Sequence, residues 1–68
     1  MMEINLVHKV KRSADLEVHI RELVVDDVNL VDIREFIVPT TTYGRGIQFP
    51  REHLMDVIDG LDLVLEDG

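Results

Sequence analysis

The hydrophobic period of this chain changes once, at Pro50, and that change limits what the chain can fold into more than any other feature. Upstream the period is two. Ile4, Leu6, His8 and Val10 alternate with Asn5, Val7, Lys9 and Lys11, and Arg12-Ser13-Ala14-Asp15 interrupts the pattern. Leu16, Val18 and Ile20 then alternate with Glu17, His19 and Arg21, as in a half-buried strand. Asp26-Asp27 is a turn signal, followed by a β-branched run from Val28 to Val38 that reads as a third strand closed by Pro39. Thr40 to Gly44 read as a loop and Arg45 to Phe49 as a short fourth strand. Short connections between successive strands imply an antiparallel meander.

Downstream of Pro50 the period is helical. Leu54, Val57, Ile58, Leu61, Val64 and Leu65 recur on one side, with Glu52, Asp56, Asp59 and Glu66 opposite. Pro50 suits a first helical position, where its missing N–H costs nothing. Gly60 in the interior costs about 1 kcal/mol against Ala. It marks either a close helix–helix approach, the reading favoured here, or an early helix end. The expected fold class is α+β: four antiparallel strands and one C-terminal amphipathic helix, β-β-β-β-α, in a single domain over residues 1–68.

Such a domain is thin. Below roughly 70–80 residues one core rarely supplies more than about 3–5 kcal/mol, so small domains need reinforcement. The chain has no Cys, which excludes disulfides, and His8, His19 and His53 are scattered without thiolate partners, which does not suit zinc. The histidines read as surface or rim residues, and neither metal nor cofactor is expected. Oligomerisation remains, and a homodimer through Leu54, Val57, Ile58, Leu61 and Leu65 is the natural outcome. No apolar run approaches the roughly 18–20 residues of a spanning helix. Met1-Met2-Glu3-Ile4 does not begin a signal peptide. The expected location is cytoplasmic or nucleoid-associated, neither membrane-bound nor secreted. No nucleophile–base pair or acid pair has a defined spacing, so an enzyme is not expected.

Residues 32 to 50 carry the most specific pattern: Asp32-Ile33-Arg34-Glu35-Phe36, a loop, then Gly44-Arg45-Gly46-Ile47-Gln48-Phe49-Pro50 and an acidic helix. This order resembles the positive-cofactor-four family of transcriptional coactivators and single-stranded-DNA-binding proteins. The resemblance covers about Val31 to Leu61. Val18-His19-Ile20-Arg21-Glu22 is similar, in outline, to that family's second strand. It implies a curved four-stranded sheet, a homodimer paired through its helices, and a DNA-binding sheet surface. On that resemblance Arg34 is a phosphate- or base-contacting Arg, Phe36 an aromatic platform, Arg45 the basic residue of a Gly-basic-Gly turn, and Arg21 a further contact.

Single strands are held by a basic groove and by aromatic faces on which bases stack, each stack worth about 1–3 kcal/mol. Tyr43 offers such a face, and Lys9 and Lys11 lie on the first strand where they can join the groove. Each residue also has a plainer role. Arg34 can pair with Glu35, Asp32 or Glu17, and Phe36 can fill a core. Gly44 and Gly46 can simply form a tight turn, and Lys9, Lys11 and Arg12 can blunt an edge strand.

The net charge of -7 opposes DNA binding in total but not in distribution. From Arg51 onward one base meets six acids, giving -5; residues 1 to 49 hold six bases and eight acids, giving -2. Charges further apart than about 8–10 Å are largely screened at physiological salt. Asp26-Asp27 replaces a Lys and a Gly usual in the family, Ile37 a second aromatic, and the turn holds one base where others hold two. These departures imply weaker, more salt-sensitive binding. The expected function is therefore sequence-independent single-stranded-DNA binding by a homodimer in transcription, replication or recombination, alongside polymerase or recombination partners. The alternative is an acidic dimeric protein-interaction module of the same fold. A basic sheet face would favour the first, and salt bridges consuming its cations the second.

Overall fold

A computed structural model describes residues 2–67. Strands β1 (Met2–Lys11), β2 (Leu16–Val25), β3 (Val28–Ile37) and β4 (Thr42–Pro50) are followed by a 3-10 turn (Arg51–His53) and helix α1 (Leu54–Asp67). The strands form one open, curved antiparallel sheet in the order β1-β2-β3-β4. The expected fold class is the observed one, with differences at the boundaries.

The β2–β3 connection is a two-residue hairpin. Asp26 and Asp27 both have left-handed φ, 49° and 66°, as a type I′ turn requires. The β1–β2 loop is closed by Arg12 and Ser13 N–H groups donating to the Leu16 carbonyl. The third loop turns at Val38–Thr41, where Thr41 (φ 51°) donates to the Val38 carbonyl. The chain is therefore already in β4 at Thr42, not at Arg45 as the sequence suggested.

Gly44 and Gly46 correspondingly lie inside a strand, and neither has positive φ, so they do not make a tight turn. The pairing shifts between Arg34 and Phe36, where Gly44-Arg45 opposes Glu35 alone in a β-bulge. Gly46 faces Arg34 across the ladder; a Cβ there would overlap the Arg34 Cβ and lie 2.5 Å from the Ile33 carbonyl oxygen. A second bulge sits at Val7 in β1. Pro50 ends β4 in extended conformation (φ -61°, ψ 142°), so it precedes the helical turns rather than opening them.

Side chains alternate between two faces of the sheet. The second face carries Val10, Val18, Ile20, Val31, Ile33, Ile47 and Phe49. The start of α1 lies against it, leaving a cleft of about 150 Å³ lined by Val7, Ile20, Val31 and Leu54 with Arg51. Beyond Leu54 and Val57 the helix is exposed, its apolar side included. Beyond its own helical turn, no described residue lies within 4 Å of a methyl added at Gly60, so the close approach expected there is not made inside the protomer. Among the described residues Leu23 is the one buried hydrophobic side chain; the other two buried residues are His19 and Asp32. The chain is a slab of 38 × 33 × 16 Å with a radius of gyration of 13.4 Å, against about 11 Å for a compact domain of this length.

Candidate nucleic-acid interface

The first face is built by register. Arg21 opposes Asp32, His19 opposes Arg34 and Glu17 opposes Phe36 across β2 and β3. β4 adds Gln48 beside Asp32 and Tyr43 beside Phe36, and β1 adds Lys9 beside His19 and Lys11 beside Glu17. One half of the face is thus polar and aromatic. The other half, with Ile4, Leu6, Leu23 and Leu30, is aliphatic.

Asp32 stands at the centre of the polar half with 0% exposure. Arg21 donates through Nε (2.9 Å) and Nη2 (2.8 Å) to Oδ2. Arg34 donates through Nε to both oxygens (2.9 and 3.0 Å) and through Nη2 to Oδ1 (2.8 Å). Burial alone would push the Asp32 carboxyl up, but the bonds from Arg34, then Arg21 and Gln48, outweigh it and hold it below the usual carboxylate range. The same contact holds the Arg34 guanidinium above its ordinary value. Arg34 Nη1 also donates to the Gly44 carbonyl at 3.3 Å.

An aromatic cluster adjoins this triad. The His19 and Phe36 rings stack at 4.4 Å with 13° between planes, and Tyr43 meets both edge-on, at 5.4 and 5.1 Å. The Arg21 guanidinium carbon lies 4.1 Å from the Tyr43 ring centroid, a cation–π contact. His19 Nε2 is 2.8 Å from Glu17 Oε1 and Nδ1 is 3.0 Å from the Tyr43 hydroxyl. An ionised carboxylate only accepts, so His19 Nε2 donates to Glu17. The His19 hydrogen bond, with smaller pulls from Lys9 and Lys11, lowers the Glu17 carboxyl despite some desolvation.

The structure therefore brings Arg34, Phe36, Arg21, Tyr43, Lys9 and Lys11 onto one face. Of the three carboxylates weighed as partners for Arg34, it is Asp32 that Arg34 engages. The side chains of Arg21 and Arg34 are recessed, 11% and 23% exposed, whereas Lys9 and Lys11 are exposed. Arg45 lies apart from the triad at the β4 bulge, exposed, its side chain without a hydrogen bond or ion pair among the described residues. Phe36 is half-buried within the aromatic cluster. His8 and His53 are exposed, but His19 is not the rim residue expected: it is 3% exposed because Phe36, Tyr43 and Glu17 enclose it.

The sequence reading missed Asp32 as the organising group, and with it His19, Glu17 and Gln48. One signal was present: Asp32 and Arg34, two residues apart on a strand, must share a face. No helix among the described residues is long and apolar enough to cross a membrane. A scan against protein-family models found no match to this chain, and searches of curated proteins and of solved structures found none either.

Proposed function

We propose that the protein is a homodimeric, sequence-independent single-stranded-DNA-binding protein that supports transcription, replication or recombination. One observation carries this reading. The first face gathers Lys9, Lys11, Arg21 and Arg34 against Glu17 and Asp32, a net of +2 in a chain of net -7, and sets them around aromatic rings. The resemblance of residues 31–61 to the positive-cofactor-four family points the same way. Cations along an open face track phosphates, while Tyr43 and Phe36 offer π-faces to any unpaired base. A duplex hides its base faces and gains less. Binding only the melted form stabilises it by mass action, with no chemical step and no cofactor.

The dimer belongs to the same reading. The chain exposes 5327 Å², about 950 Å² more than a compact monomer of its 7.8 kDa mass. Exposed apolar side chains on α1 (Ile58, Leu61 and Leu65) and on the second sheet face (Val10 and Ile47) offer a partner surface to bury. A cytoplasmic or nucleoid-associated site of action follows from the proposed ligand, and polymerase or recombination proteins are the expected company.

One observation favours the second reading, an acidic dimeric interaction module. Asp32 engages both first-face arginines, leaving the two lysines as the exposed cations of that face. Fluorescence anisotropy of a labelled oligothymidine, with an equal-length duplex as control, separates the two. DNA binding predicts tighter association with the single strand and a salt slope of roughly -0.7 per phosphate neutralised. It also predicts a shallower slope for the Lys9→Gln, Lys11→Gln double variant. Absence of binding at low salt refutes it in favour of the interaction module.

A further inference from the structure

We infer that Asp32 is a positioning residue for phosphate recognition: it holds the Arg21 and Arg34 guanidiniums so that their remaining N–H donors form a preset fork on the first face. The inference rests on the proposed single-strand binding and specifies how that site is assembled.

Fold stability alone gives little reason for this carboxylate. One register pair further along the same face, Leu23 and Leu30 oppose each other and fill the equivalent space with aliphatic carbon. Replacing buried ion triads by apolar residues is often neutral or stabilising, because removing charges from water costs about what their attraction returns. What the triad does supply is geometry. Both arginines spend their Nε–Nη2 edge on Asp32, and that is the side edge of the guanidinium. Of the five donors on each group, the Nη1 pair and the second Nη2 hydrogen of Arg21 are left over, as are one Nη1 hydrogen and the second Nη2 hydrogen of Arg34 after its bond to Gly44. These donors lie on the edge turned away from the carboxylate.

Both side chains are also braced elsewhere, Arg21 on the Tyr43 ring and Arg34 by its bond to the Gly44 carbonyl. A free arginine loses much rotamer freedom on gripping a phosphate. These two have lost it already on folding, and preorganisation of that kind raises affinity without a new contact.

The competing role for Asp32 is neutralisation of the face, and it predicts the opposite sign. Asp32→Asn keeps the shape and adds one positive charge to the first face. If Asp32 only neutralises, the variant binds oligothymidine more tightly and with a steeper salt slope. If Asp32 positions, the variant binds at least about tenfold more weakly despite the added charge, because two arginines must be ordered by the ligand.

The test titrates labelled oligothymidine by anisotropy across a salt series, with circular dichroism and sedimentation verifying fold and assembly. Arg34→Lys is the companion variant: it keeps the charge but cannot bridge both Asp32 oxygens and Gly44, and weaker binding is expected again. Equal or tighter binding by a folded Asp32→Asn overturns the inference; should that variant not fold, unchanged affinity in Arg34→Lys overturns it. A wild-type protein that fails to bind at low salt is a different result. It refutes the single-strand function itself, and the phosphate role falls with it.

Discussion

Leu61→Asp should convert the protein from dimer to monomer. Leu61 is 60% exposed on the apolar side of α1, in line with Leu54, Val57, Ile58 and Leu65. The surface excess of about 950 Å² per chain is of the order of the roughly 800 Å² that each partner contributes to a stable interface. Burying a leucine is worth about 1.5–3 kcal/mol, and a two-fold interface loses it twice, about 3–6 kcal/mol. At about 1.4 kcal/mol per factor of ten, the dissociation constant should rise at least roughly a hundredfold. Any desolvation of the new carboxylates adds to that. Leu63→Asp is a matched control. Leu63 is 63% exposed, but two residues turn the helix by about 200°, onto the acidic side with Asp56, Asp59 and Glu66. Sedimentation equilibrium at micromolar concentration should give about twice the 7.8 kDa chain mass for wild type and Leu63→Asp, and a monomer for Leu61→Asp. A monomeric wild type, or a Leu61→Asp variant as dimeric as its control, would refute the reasoning.

Other consequences follow from the first face. Gly46→Ala should destabilise by about 1–3 kcal/mol, since its methyl overlaps Arg34 and crowds the Ile33 carbonyl. Gly44→Ala, whose methyl meets Ile37 and Glu35 at ordinary contact distances of 3.6 and 3.7 Å, should be tolerated; urea denaturation compares them, and equal losses would contradict the bulge geometry. The folded-state carboxyls of Asp32 and Glu17 titrate below their ordinary values of 3.8 and 4.5. A lowered carboxyl stabilises the fold above its unfolded pKa, and that contribution disappears as pH falls through the folded value. Falling net negative charge acts in the opposite sense, so the comparison that isolates the pair is wild type against Glu17→Gln. From pH 5 to pH 3 the denaturation midpoint of wild type should fall more than that of the variant; a parallel fall would remove Glu17–His19 from the account.

The strands and helix are legible because the two periods and the three interruptions between strands are local properties. Asp26-Asp27 placed the β2–β3 hairpin without any partner being known. Register is not local, and the misreadings of the first face come from it. Gly44 and Gly46 looked like turn residues until Arg34 was found opposite Gly46, which made close approach the reason for the glycine. His19 reads as polar and outward in the alternation of β2, yet Phe36 and Tyr43, distant in sequence, close over it. Asp32 reads as part of a motif and as one partner for Arg34, while its burial depends on Arg21 arriving from the neighbouring strand. Charge reversal at Arg34 would consequently set a second carboxylate beside a buried one and disturb the fold. Lys9 and Lys11, exposed on the same face, make cleaner probes of binding.

The most direct measurement is amide chemical-shift mapping by NMR as oligothymidine is added to the labelled protein. The account predicts perturbations concentrated on the first face, at Lys9, Lys11, His19, Arg34, Phe36 and Tyr43, with the acidic side of α1 at Asp56, Asp59 and Glu66 unmoved. Shifts confined to the helix or to the second face, or none at saturating oligonucleotide, would contradict it.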